Sequence, residues 1–459
     1  MKQLKDDVLA DLARTSNVAQ FVSVRADAPN VPRHVCIRQF DGALRSLKDC
    51  IEQLLKASVE SKVNVRTFSQ TFSKGGEFVM GLSDVETVLS TIERITRSGT
   101  SVIVNESIDI KDGGVSGVFF GNTVEFAPDD TPRCVEKPGV CRLPRNIGDK
   151  ILLQVYGVSL PVGFTDAQRV EFSIHPRRRG IQHSPLIIWE VELQAARDTQ
   201  ENVQIVWPNR FSQHIGDKTF GLLVAHSLGQ NTPFCTVVSR RLRPFVFGLP
   251  TGTNEFWSRT APRRQLPGKL PTVLGHLDLF TLLESVESSD RDALASVLVQ
   301  EGVEARFSGG AAIRQSGDTV VEGVSGRGDG FMLGKDAPTN LPIDIQKDVE
   351  KTILELRKVL GPCRMEWVHD GTKAWVVQVH VGGISSDPIR IVDGNADEWL
   401  DFDVDNGLES LRSLLSDMNL SRKGIRLIGD VGVTSHFGDL LRGFKVPSVI
   451  VRSMSPDRG

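Results

Sequence analysis

Apolar residues follow two rhythms along this chain. Over 343–359, Ile345, Val349, Ile353 and Leu356 recur at helical spacing and the run stops at Gly361-Pro362, which predicts a helix with one buried face. Segments 41–56 and 83–96 predict two more helices. Between them lie short, β-branched runs such as Val102-Ile103-Val104 and Val297-Leu298-Val299, which read as strands. Helices alternating with short strands place the chain in an α+β (α/β) class.

One strand pair stands out. Cys363–His369 and Ala374–Gln378 flank Asp370-Gly371, a strong hairpin signal. Side chains alternate faces in extended chain, so Glu366 on one strand and Gln378 on the other can point into one cleft. A carboxylate and an amide oxygen suit Mg²⁺ held beside a polyphosphate. Two polar residues facing solvent is the plainer reading.

The pattern occurs twice. Arg169–Ser173 and Leu186–Glu190 form another strand pair, with Glu171 and Glu190 in the places of Glu366 and Gln378. Upstream, Asn105-Glu106 ends one apolar strand and Gln300-Glu301 another, and Glu125 and Glu322 follow in the next strand of each copy. This predicts a degenerate duplication over 1–195 and 205–382, with a polar linker at 195–202 and a small strand–helix–strand domain over 386–459.

Size and charge restrict the options. A chain of 459 residues implies two or three domains. A net charge of -3 provides no general attraction to nucleic acid or anionic lipid, and no apolar run approaches the roughly 20 residues that cross a bilayer. The start, Met1–Asp7, reads as a charged helix without the apolar core of a signal peptide. Six cysteines without a Cys-x-x-Cys pair argue against zinc and disulfide frameworks, so the expected setting is cytoplasmic and reducing.

Several further motifs stand in a telling order. Ile215-Gly216-Asp217-Lys218 precedes Leu222-Leu223 and Leu228–Phe234; Trp257-Ser258-Arg259-Thr260, Gln300, Ser308-Gly309, Glu322 before the glycine-rich 323–334 loop, and the Glu366-Trp367 and Val377-Gln378 hairpin follow. On these residues 205–382 resembles the ATP-grasp half of the phosphoenolpyruvate synthase and pyruvate phosphate dikinase family. In the first copy, Val63–Ser69, carrying Arg66, and Gly75–Phe78 are similar to the same family's segments. Gly432–Pro447, with Thr434-Ser435-His436, is similar to its phosphohistidine segment, although that domain is longer in the family and no phosphoenolpyruvate-binding barrel follows here.

The resemblance implies ATP and Mg²⁺ as ligands. It implies metal binding by Glu366, Gln378 and Glu322, nucleotide binding by Lys218, Arg66, Gln300, Glu301, Gly326, Gly328 and Glu322, and catalysis by Arg259 and His436. Each residue has a plainer role. Lys218 suits phosphate as a compact charge or is simply solvated. Arg66 in an apolar strand needs an anion or a carboxylate. Arg259, Arg263, Arg264 and Lys269 form a phosphate clamp or a basic loop. Glycines at 326 and 328 admit phosphate to the backbone or merely turn the chain. His436 at a helix start accepts a phosphoryl group or caps the helix. His175, before Pro176–Arg179, reads as part of a solvated loop.

The leading expectation is an ATP- and Mg²⁺-dependent phosphotransferase of the dikinase type, passing phosphoryl through His436 to an unknown acceptor. An ATP-grasp carboxylate–amine ligase and a non-catalytic nucleotide-binding regulator are the alternatives. A homo-oligomer or a partner subunit is left open.

Overall fold

Amphipathic spacing becomes helix at all three expected places, with a side-chain cap at two of them. In the computed structural model, Ser46 and Asp84 cap α-helices at Leu47–Ala57 and Val85–Arg97, and the 343–359 pattern forms Ile343–Leu360 with the foreseen residues buried. The structure describes residues 4–39, 46–68, 76–109, 111–131, 137–193, 203–263, 272–275, 277–285, 294–417 and 422–452. The start of the helix expected over 41–56, together with Arg264 and Lys269, lies outside them. The chain forms two compact units, Met1–Glu201 and Asn202–Gly459.

The first unit begins with α1 (Lys5–Leu12), β1 (Phe21–Arg25), β2 (Ala28–Cys36), α2 (Leu47–Ala57), β3 (Val63–Phe68), β4 (Phe78–Leu82), α3 (Val85–Arg97) and β5 (Ser101–Glu106). Its strands form an antiparallel sheet in the order β2-β1-β5-β3-β4. Ile51, Leu54, Val88 and Ile92 of the two helices share a core with Val22, Val65 and Val104 of the sheet. A second sheet follows from β6 (Val115–Phe120), β7 (Thr123–Pro128), β8 (Cys141–Pro144), α4 (Arg145–Tyr156), β9 (Gln168–Arg179) and β10 (Ser184–Leu193), in the order β10-β9-β6-β7-β8.

The second unit repeats this plan. It runs through α5 (Arg210–Ile215), α6 (Asp217–Ser227), β11 (Cys235–Ser239), β12 (Phe245–Phe247), β13 (Phe256–Pro262), β14 (Thr272–Leu274), α7 (Leu279–Ser285) and β15 (Leu294–Glu301). These strands order as β12-β11-β15-β13-β14, rank for rank the order of the first sheet. Next come β16 (Phe307–Ile313), β17 (Thr319–Ser325), α8 (Asp329–Met332), α9 (Ile343–Leu360), β18 (Cys363–His369) and β19 (Ala374–Val381), paired as β17-β16-β18-β19. That is the order of β7-β6-β9-β10 without the β8 edge. The fold is α+β, built on a tandem repeat.

The chain ends in an α/β layer: β20 (Arg390–Val392), β21 (Glu398–Asp403), α10 (Leu408–Asp417), β22 (Lys423–Ile428), α11 (His436–Phe444) and β23 (Ser448–Val451). β21, β22 and β23 are parallel, and β20 pairs antiparallel at the edge. This layer shares one core with the preceding sheet: Ala312 and Ile384 pack among Phe402, Leu411, Leu427 and Phe437. Gly310 permits the approach, since a Cβ there would lie 2.6 Å from Thr434. Among the described residues no helix is long and apolar enough to cross a membrane.

Candidate functional site

The repeat extends to side-chain register. Arg66 on β3 pairs with Ile103, three residues before β5 ends at Glu106; Arg259 on β13 pairs with Leu298, three residues before β15 ends at Glu301. Glu171 faces Glu190 across β9 and β10, and Glu366 faces Gln378 across β18 and β19. Each hairpin bulges at the residue before its second polar position, Trp189 or Val377. A bulge re-aims the backbone, and here both freed carbonyls accept from the equivalent arginine. Arg66 donates to Trp189 O (2.6 Å) and Glu190 Oε2 (2.6 Å), whereas Arg259 donates to Val377 O (3.2 Å) and Gln378 Oε1 (3.3 Å).

The two sites differ in charge. In the first unit Glu190 is buried and receives Arg66, and Lys5 at the start of α1 bridges Glu190 and Glu192. Arg169 donates to Glu171 at 2.7 Å. Burial opposes ionisation of Glu190, but Arg66 and Lys5 prevail and hold its carboxyl well below the usual range. Every charge in this cluster has a partner.

In the second unit the corresponding residues border a cavity of about 790 Å³, lined by Lys218, Arg259, Gln300, Glu301, Glu366 and Gln378, with Gly328 and His436 also facing it. Lys218 sits in the first turn of α6, after Gly216. That glycine has φ 88°, and a Cβ would lie 2.6 Å from the Ala261 carbonyl, so glycine is required there. Lys218 has no hydrogen-bond or ion-pair partner among the described residues; burial, and then Arg259, lower its pKa to about 8. Burial also lowers the Arg259 pKa, and its Nε is enclosed without a partner. The arginine's contact at the hairpin is a neutral amide, so the cation pair is incompletely neutralised.

Glu366 is the nearby carboxylate. His380 Nε2 lies 3.6 Å and His436 Nε2 3.4 Å from its Oε1. Burial opposes its ionisation, yet these two imidazoles hold it well below the usual carboxylate range. Reciprocally, burial would lower the His436 pKa, but Glu366 raises it. The Gln378 amide nitrogen meets His380 Nε2 at 2.7 Å, which leaves its oxygen to Arg259.

The other sequence candidates occupy different places. Gln300 Nε2 donates to Val377 O at 3.3 Å, and Glu301 accepts from Thr251 N at 2.8 Å. Gly326 (φ 79°) turns the chain after β17, and its carbonyl accepts from Ser308. Glu322 accepts from Thr434 N (2.9 Å), Thr434 Oγ1 (2.7 Å) and Val433 N (3.3 Å), so it ties the C-terminal layer down. Arg66 lies in the first unit, paired as above. His175 is buried rather than solvated: its Nδ1 is 2.9 Å from Asp112 Oδ2 and its Nε2 3.0 Å from Ser173 Oγ. This resembles a hydrolytic triad, but Ser173 is fully buried and its Oγ accepts from the Trp189 indole at 2.6 Å. Sequence reading did not find Lys5, Arg364 or Asp439, whose partners are remote in the chain, or His380, which meets Glu366 across the hairpin.

No family model and no curated protein matches the sequence. Among solved structures, part of the chain is similar to D-alanine–D-alanine ligase from Helicobacter pylori, at 12% identity over 38% of this chain and 56% of that one, with a TM-score of 0.26. D-alanine–D-alanine ligase from Bacillus anthracis complexed with ATP gives 15%, 38%, 57% and 0.26. L-amino acid ligase from Bacillus licheniformis gives 15%, 38%, 41% and 0.25. The chain spans little more than half of each of the first two enzymes, and no residue role is carried over from them.

These matches correct the expected resemblance to the phosphoenolpyruvate synthase and pyruvate phosphate dikinase family, because they are ligases. The dikinase-type function is corrected with it. The site offers a physical reason: His436 Nε2 faces the ionised Glu366, and a phosphoryl group on that nitrogen would set a dianion against a carboxylate. The Gly432–Pro447 segment is therefore not assigned as a phosphohistidine segment.

Proposed function

We propose that the second unit binds a magnesium nucleotide and that the chain is an ATP-dependent ligase joining a carboxylate to an amine. One observation carries this reading: Lys218 and Arg259 face a cavity with their charge incompletely neutralised, while Arg66, at the same register of the first copy, is neutralised by Glu190. Buried cations need an anion, and a polyphosphate supplies one. Val303, Met332 and Leu333 add apolar lining suited to a base. Glu366 suits a magnesium ion that shares its remaining sites with phosphate oxygens and water. Bound there, the ion would neutralise charge developing on the phosphates. Gln378 holds Arg259 in place through its amide oxygen.

In the proposed reaction a carboxylate oxygen attacks the γ-phosphorus of ATP and ADP leaves, giving an acyl phosphate. An amine nitrogen then attacks the acyl carbon, phosphate departs and the nitrogen loses a proton, giving an amide. Lys218 and Arg259 stabilise charge on the transferring phosphoryl group, which is the main demand of phosphoryl transfer. No step requires a phosphorylated side chain. The test is calorimetric titration with Mg·ATP, followed by product analysis with ATP and mixed amino acids. ADP with an amide-containing product is expected. AMP formation, or undiminished ATP binding by Lys218→Met, would sink the proposal.

A further inference from the structure

The cavity continues past Glu366. β18 runs from His369, whose carbonyl accepts from Arg306 N in the segment joining β15 to β16, back to Arg364. Arg364 lies two residues from Glu366, hence on the same face and about 7 Å along the strand. There the lining passes to the C-terminal layer and becomes basic, with Arg364, Arg412, Arg442 and Lys445. Asp439 is the acidic lining residue at this end, and it is shared by Arg364 (3.0 Å) and Arg442 (3.1 Å). Among the described residues Arg412 pairs only with Glu409, which is 80% exposed. Lys445 is exposed, held at φ 55° by the end of α11, and has no ion-pair partner among the described residues.

A solvated basic surface would look different. The Arg412 and Arg442 side chains are only 14% and 11% exposed. Arg364, Arg412, Arg442 and Lys445 outnumber the Asp439 and Glu409 carboxylates beside them, and a half-buried excess of positive charge is costly unless an anion completes it. Leu408 and Leu440 form apolar walls beside them, which suits a small organic anion. The spacing also suits an acceptor: a nucleotide whose last phosphate reaches Glu366 leaves this end open.

We propose that Arg412, Arg442 and Lys445 form the subsite for the acceptor, and that the acceptor is a small-molecule carboxylate. Asp439 and the Val433 carbonyl hold Arg442 in position. This rests on the nucleotide reading above, because that reading fixes which end is left for the second substrate. Carboxylate and guanidinium match in a two-pronged geometry.

The test is calorimetry on the full chain, titrating succinate and, separately, orthophosphate, with and without saturating Mg·AMP-PNP. Succinate should bind the nucleotide-loaded protein. The Arg412→Gln, Lys445→Asn double variant should weaken that by about tenfold or more while nucleotide affinity stays within about twofold. Lys445→Asn alone, at an exposed position where asparagine tolerates the backbone, should show part of the loss and guards against a folding defect. Equal succinate affinity in variant and wild type, or binding of orthophosphate but not succinate, would overturn the assignment. Succinate binding without any nucleotide binding would instead overturn the nucleotide reading and leave the anion subsite standing.

Discussion

Replacing Lys218 with methionine should stabilise the ligand-free protein while abolishing nucleotide binding. Lys218 titrates at about 8 rather than its ordinary 10.5, through burial first and Arg259 second. A lysine with a lowered folded-state pKa penalises the folded state whenever it is charged. The penalty is therefore complete below about pH 8 and is relieved as pH rises from there to 10.5. At about 1.36 kcal/mol per pH unit, the fall corresponds to roughly 3 kcal/mol. Partial exposure of the side chain screens this, leaving about 1–2 kcal/mol. Methionine keeps most of the volume and removes the charge. Urea denaturation followed by tryptophan fluorescence should show that gain at pH 7 and a much smaller one at pH 10. A variant less stable than wild type at pH 7, or a gain that does not shrink at pH 10, would refute the reasoning.

Three other outcomes are expected. Glu190→Gln leaves Arg66 and Lys5 without their shared carboxylate, and a broken buried pair costs on the order of 3 kcal/mol; thermal melting should show the loss, with Mg·ATP affinity unchanged. Glu366→Gln should remove the magnesium dependence of nucleotide binding, so that titrations with and without Mg²⁺ converge; a retained difference would place the metal elsewhere. Ser173→Ala should cost about 1–2 kcal/mol for the lost buried hydrogen bonds and leave catalysis untouched, and a fluorophosphonate probe should not label the wild-type chain at Ser173.

What could be read from the sequence was whatever depends on local spacing. Alternation along two short strands allowed Glu366 and Gln378 to point into one cleft, and both line the cavity; that each pair stands directly opposite, Glu171 and Glu190 included, comes from the strand register. Arg66 in an apolar strand required an anion or a carboxylate, and Glu190 is that carboxylate. What could not be read depends on contacts between distant segments. Lys5 carries no turn motif, and its role exists only because α1 packs on β10. Asp439 acquires its role from Arg364, in a distant segment. Glu322 has the residue type and place of a metal ligand, but the Val433–Thr434 backbone takes its oxygens.

Two register positions set the copies apart at the site. Glu190 and Gln378 are nearly isosteric, so exchanging one for the other preserves the bulge and the arginine contact but removes a full negative charge. A charge about 4 Å from another is worth on the order of 4 kcal/mol at an effective dielectric of 20, enough to turn a self-neutralised cluster into one that attracts an anion. The second position is Val118 in the first copy and Gly310 in the second, each facing the equivalent glutamates on both neighbouring strands. Only the residue without a Cβ leaves room for Thr434, which binds Glu322 and brings His436 to Glu366. On the proposed reading the first exchange would open a place for phosphate; the second lets the C-terminal layer, with α10 and α11, pack beside it. On the same reading neither exchange would act alone: an uncompensated cation pair without the C-terminal layer would be an anion site without an acceptor, and the layer beside a self-neutralised cluster would have no nucleotide to face.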